Sequence, residues 1–222
     1  MFPLLLAPAD RPLRLLALGA HCDDIEIAAG GTLLRLAAEV PGLQADLVVL
    51  SSTPERAVEF RASAAAFCAP AEVDVEVHDL PDGHLPQVWD DVKARIEALA
   101  ARLSPDVILA PSRHDAHQDH RLLAEVVTTC FRDHLVLRYE IPKWDGDLGA
   151  DRPSHYVPLA PETMQRKCEL LREHYVSQGT RDWWSDETFR ALGRIRGMEC
   201  RAPYAEAFTV EKAIVSFSSD PS

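Results

Sequence analysis

Between residues 13 and 141, short apolar runs alternate with stretches of helical periodicity, and few folds accommodate that rhythm. Strands are predicted at 13–19, 45–51, 73–78, 107–110 and 135–141, with helices at 28–40, 55–68, 88–103 and 119–131 between them. Such βα alternation builds a parallel sheet covered on both faces by helices. The expected class is therefore α/β, a Rossmann-like, mostly parallel sheet in the order 3-2-1-4-5, followed by an irregular C-terminal part. Beyond residue 142, Pro161 is placed to open a helix through Tyr175 and Ser185 to cap another running towards Arg196. Residues 208–217 read as one or two strands and 218–222 as a frayed tail. No repeat or linker intervenes, so a single domain is expected over 1–222, with a motif-bearing core at about 12–142 and a looser part at 143–222.

Ligands of such sheets collect outside the carboxyl ends of the strands, and two loops there are rich in imidazole and carboxylate. The first strand runs into Ala20-His21-Cys22-Asp23-Asp24, and the fourth into His114-Asp115-Ala116-His117-Gln118-Asp119-His120. His21 and Asp24 are three apart, as are His117 and His120, so each pair can converge from one turn of backbone. In the expected strand order the two loops are neighbours. A two-His, one-carboxylate set with open positions suits a catalytic zinc, because water must occupy what remains. Taken singly, His21 also reads as a core histidine and Asp23-Asp24 as a turn or capping pair. The convergence of both loops is what favours a metal-dependent hydrolase. Gly30-Gly31 permits a close backbone approach at the first helix, but its spacing from Gly19 is not that of a dinucleotide fingerprint.

These stretches resemble the zinc-dependent de-N-acetylases known as the PIG-L or LmbE-like family. The family signatures read Ala-His-Pro-Asp-Asp followed by Gly-Gly-Thr-Leu, and His-Pro-Asp-His. Here they appear as His21-Cys22-Asp23-Asp24 with Gly30-Gly31-Thr32-Leu33, and as His117-Gln118-Asp119-His120. The likeness covers about residues 12 to 135. It implies one Zn2+ per chain held by His21, Asp24 and His120, with Asp23 as general base. It makes His117 the imidazolium that stabilises the oxyanion or protonates the leaving amine, and Asp119 the group that orients His117 or His120. It also places Arg56 near the substrate. From their positions, Asp82, His114 and Asp115 are expected to border or contact the substrate. Cys22, standing where the family has Pro, is expected to point away from the metal. Asp115 stands where some members carry a Tyr near the oxyanion. Trp183-Trp184 is expected to pack rather than stack on a sugar.

The activity implied is removal of an N-acetyl, or other N-acyl, group from a small molecule containing an amino sugar. Composition agrees in what it excludes. A net charge of −12, from 23 basic and 35 acidic residues, argues against a nucleic-acid partner. Five widely spaced cysteines without a C-x-x-C argue against a disulfide framework, so a cytoplasmic location is expected. The apolar start lacks a basic leader region, no run spans a membrane, and a homo-oligomer is compatible with the composition. Two rival readings stand beside the hydrolase. A non-haem iron oxygenase shares the ligand types, but normally on a β-helix with His-x-Asp spacing. A non-catalytic metal- or sugar-binding module has no need of Asp23 and His117.

Overall fold

The computed structural model describes residues 3–6, 8 and 10–215. Five parallel strands form its centre: β1 (Arg14–His21), β2 (Gln44–Ser51), β3 (Glu72–Val77), β4 (Val107–Pro111) and β5 (Leu135–Tyr139). The helices between them are α1 (Asp24–Glu39), α2 (Pro54–Cys68), α3 (Trp89–Arg102) and α4 (Gln118–Cys130). Leu15 and Ala17 of β1 face a core shared with α1 and α2, while Leu16 and Leu18 face a second core shared with α3 and α4. Burial on both faces is why these strands are apolar at successive positions.

The C-terminal part extends the same sheet. Its elements are β6 (His155–Leu159), α5 (Pro161–His174), α6 (Asp186–Cys200) and β7 (Tyr204–Val210), and the strand order is β3-β2-β1-β4-β5-β7-β6. The last two strands run antiparallel, β7 pairing with both β5 and β6. The expected C-terminal strand thus lies earlier, at Tyr204–Val210, and residues 216–222 fall outside the described residues. Ser185 caps α6 as expected, its side chain accepting from Thr188 N. Among the described residues no helix is long and apolar enough to cross a membrane.

One tie between the two parts bears on the site. Helix α1 is broken at Ala29 (φ −132°, ψ 17°), so the amides of Gly31 and Thr32 begin a second helical segment. They donate to the Glu206 carboxylate of β7 at 2.8 and 2.6 Å, and the Thr32 hydroxyl joins them at 2.6 Å. Buried Lys167 of α5 balances that charge, reaching Glu206 Oε1 and Ile27 O at 2.6 Å each. The glycines have a packing reason as well: a Cβ on Gly30 would lie 2.6 Å from Phe67, and one on Gly31 would collide with Leu159. Lys167→Met would leave Glu206 buried without its cation, and we expect a loss of about 3–5 kcal/mol of unfolding free energy. Adding Glu206→Gln to that variant should return part of it in urea melts, since the unbalanced charge is then gone.

Candidate metal and catalytic site

Because β1 and β4 are neighbours, their carboxyl ends deliver both motif loops to one place. His21 closes β1, and Asp24 opens α1 with its Oδ2 accepting from the amides of Ala20 and His21 at 2.9 Å each. His120 lies on the first turn of α4. His21 Nδ1 and His120 Nε2 stand 3.3 Å apart, and Asp24 Oδ2 is 3.3 Å from the latter and 3.6 Å from the former. Ligand bonds of about 2.0–2.2 Å in a tetrahedron require donor separations of about 3.3–3.6 Å. The three atoms therefore present one face of such a tetrahedron, and the residue types suit zinc.

Charge supports the same reading. Burial alone would keep His21 neutral, but Asp119, Asp24 and Asp82 hold its pKa well above the usual imidazole range. Burial likewise opposes charge on His120, yet Asp24 and Asp115 push it up to about 9. Burial would raise Asp24, but His120 and His21 drive it well below the carboxylate range. A cation entering this triangle must expel protons, so Zn2+ affinity should rise with pH, about tenfold per unit for each proton displaced. The sign for stability is opposite. His120 is raised from 6.5 to about 9 on folding, so its contribution to the metal-free protein is full below pH 6.5 and lost by about pH 9. The zinc-induced rise in Tm should widen across that window. A flat difference between zinc-loaded and chelator-treated melts would refute this.

Residues 16–131 match the model of the PIG-L family, described as GlcNAc-PI de-N-acetylase. The chain belongs to this family. Solved structures similar to this PIG-L member share its fold. A conserved protein, TT1542, from Thermus thermophilus has a TM-score of 0.73 at 22% identity, covering 95% of this chain and 100% of its own. N,N'-diacetylchitobiose deacetylase from Pyrococcus horikoshii has a TM-score of 0.67 at 18% identity, covering 91% and 85%. GalB, a 4-carboxy-2-hydroxymuconate hydratase from Pseudomonas putida, reaches 0.76 at 18%, covering 93% and 99%. Deacetylase and hydratase thus occupy one architecture, and the chemistry must be argued from side chains.

In this PIG-L chain Asp23 lies between the two first-motif donors at φ 146°, a backbone region that a non-glycine residue enters at a cost of roughly 1–3 kcal/mol. Arg56 holds it there, with Nη2 2.8 Å from Asp23 Oδ1 and 2.5 Å from Cys22 O. One nitrogen of the guanidinium thus braces both Asp23 and the strained turn. Burial, against the pull of Arg56, raises Asp23 to about 6.

His117 is the N-cap of α4, its Nδ1 accepting from Asp119 N at 3.2 Å. With Nδ1 accepting in this arrangement, Nε2 is the nitrogen left to donate. Burial and then the neighbouring His120 and His21 lower the pKa of the ring.

Asp119 lies behind His21 rather than behind His117 or His120. Its Oδ2 is 3.1 Å from His21 Nε2, while Gly83 N and Leu85 N donate to its two oxygens. Asp82 Oδ1 also lies 3.1 Å from His21 Nε2, on a largely exposed side chain at the mouth. His21, Asp82, His117 and Asp119 form a second group with metal-ligand spacing. With Asp119 already accepting three contacts, that group orients His21, whose Nδ1 is left for the triangle.

Two of the residues expected near the substrate are engaged by protein partners. His114 turns outward to Asp151 Oδ1 at 2.6 Å, and Asp151 also accepts from Ser112 Oγ. Asp115 is buried beneath His120, its Oδ2 3.1 Å from His120 Nδ1, and its Oδ1 accepts from His117 N at 2.7 Å. Sequence reasoning missed Lys143, whose Nζ is 3.0 Å from Asp115 Oδ1; its one signal was a charged residue just past the carboxyl end of β5. Trp184 is buried against Tyr175 and Phe189, as packing required. Cys22 points to Ser52 Oγ at 3.2 Å, and burial pushes its thiol up to about 12. Cys22→Ser should therefore leave zinc content unchanged, and a clear loss on metal analysis would contradict this geometry.

Proposed function

We propose that this protein is a zinc-dependent amide hydrolase that removes an N-acetyl group from a small molecule containing an amino sugar. The observation that carries the reading is the triangle of His21 Nδ1, Asp24 Oδ2 and His120 Nε2, with the Asp23 carboxylate next to Asp24 and the His117 ring against both histidines. Bound there, zinc would polarise the amide carbonyl and acidify a water. Asp23, with Arg56 on Oδ1, takes the proton of the attacking water on Oδ2. His117 donates from Nε2 to the oxygen on which negative charge develops. The proton held by Asp23 then passes to the departing nitrogen, so water and amide become acetate and free amine.

Family membership supports the amide over other bonds, and the exposed Asp82 carboxylate at the mouth suits a sugar hydroxyl. The parallel α/β sheet does not favour the oxygenase reading, whose ligands belong on a β-helix. The decisive measurement is release of acetate and amine from a panel of N-acetylated amino sugars by zinc-loaded protein, with chelated protein as control. Equal release of both products, abolished by chelation, is expected. Tight zinc binding with no amine from any substrate would instead favour the binding module.

A further inference from the structure

We propose that Lys143 is a positioning residue for the metal site, acting through Asp115 on the orientation of His120. This rests on the metal reading above. Lys143 follows β5, and its side chain is 5% exposed although it carries an ammonium. Nζ lies 3.0 Å from Asp115 Oδ1 and 3.4 Å from Asp145 Oδ2, two carboxylates that face its charge, and donates to the Asp147 carbonyl at 3.4 Å. Asp115 in turn divides its oxygens. Oδ1 takes Lys143 and the His117 amide, while Oδ2 faces His120 Nδ1. A carboxylate behind an imidazole ligand usually fixes which nitrogen faces the metal, and Asp115 Oδ2, an ion-pair partner 3.1 Å from His120 Nδ1, is placed to do so.

The chain Lys143–Asp115–His120 therefore runs from the loop after β5 to a metal donor. Arg121 is near in sequence but donates to the carbonyls of Asp115 and Ala116, not to the carboxylate. Among the described residues, Lys143 is thus the one Lys or Arg paired with the Asp115 carboxylate. Without it the buried carboxylate gains by turning towards water, and His120 loses its support.

Lys143→Met keeps the length of the stem and removes the charge. We expect it to weaken Zn2+ binding about 10–100-fold in chelator competition and to alter the absorption spectrum of the Co2+-substituted protein. Asp115→Asn should weaken binding by a similar factor, and the double variant should be no weaker than the worse single one, because both act on one chain. A lysine that merely packs would lower Tm while leaving the affinity and spectrum of folded protein unchanged, and that result overturns the proposal. So does additivity of the two losses. Should Lys143→Met fail to fold, the double variant, which carries no unbalanced charge, is compared with Asp115→Asn. Equal affinities uphold the proposal; a further tenfold loss, or failure of the double variant to fold, overturns it. His120→Ala separates the two readings. If it binds Zn2+ as tightly as the unmodified protein, the metal site is misassigned, whereas its loss beside an unchanged Lys143→Met rejects Lys143 alone.

Discussion

Asp23→Asn is expected to retain its zinc and lose deacetylation by about 10²–10⁴-fold in kcat, the usual worth of a general base. The amide matches the carboxylate in shape and keeps an oxygen for Arg56, so the turn at φ 146° survives while the proton acceptor disappears. Because burial raises Asp23 to about 6, the unmodified enzyme should lose kcat/KM as pH falls through about 6, where the carboxylate protonates. That acid limb should vanish in the variant. A loss smaller than about tenfold would move the base elsewhere, with Asp82 at the mouth as the remaining carboxylate.

His117→Ala should lower kcat by about 10²–10³-fold, as removal of an oxyanion donor does, with metal content unchanged. The charge state distinguishes two ways for His117 to act. A neutral Nε2–H can be imitated by a side-chain amide, so His117→Gln should recover at least tenfold over the alanine variant. An imidazolium that delivers its proton cannot be replaced in this way. Gln no better than Ala would mean that the proton is delivered from this ring and that its contact with Asp119 N opens during turnover.

Much of this was legible in the chain. The central strands and helices announced themselves because both sheet faces are buried, and the two histidine motifs because sheet topology brings strand ends one and four together. What escaped depends on pairing and on long-range charge. β6 was unreadable because His155–Leu159 contains Pro158, tolerated only because the strand lies at the sheet edge and is defined by its partner β7. The partners of Arg56 and Lys143 were unreadable for a related reason. A long cationic side chain declares its partner only in three dimensions, and theirs lie 33 and 28 residues away, at Asp23 and Asp115. His117 was legible as a participant, but its contact with the Asp119 amide was not.

The clasp of Glu206 on the broken helix α1 makes the two parts of the chain mutually dependent. The residues that carry the first motif end a few positions before the Ala29 break, and what seats the helix beyond it comes from β7 and α5. A fragment ending near residue 142 would hold every candidate ligand yet expose the Gly31 and Thr32 amides and one face of α1. Such a fragment should not survive as an autonomous catalyst. β7 and α5 are bound to keep their register with α1 whatever the substrate.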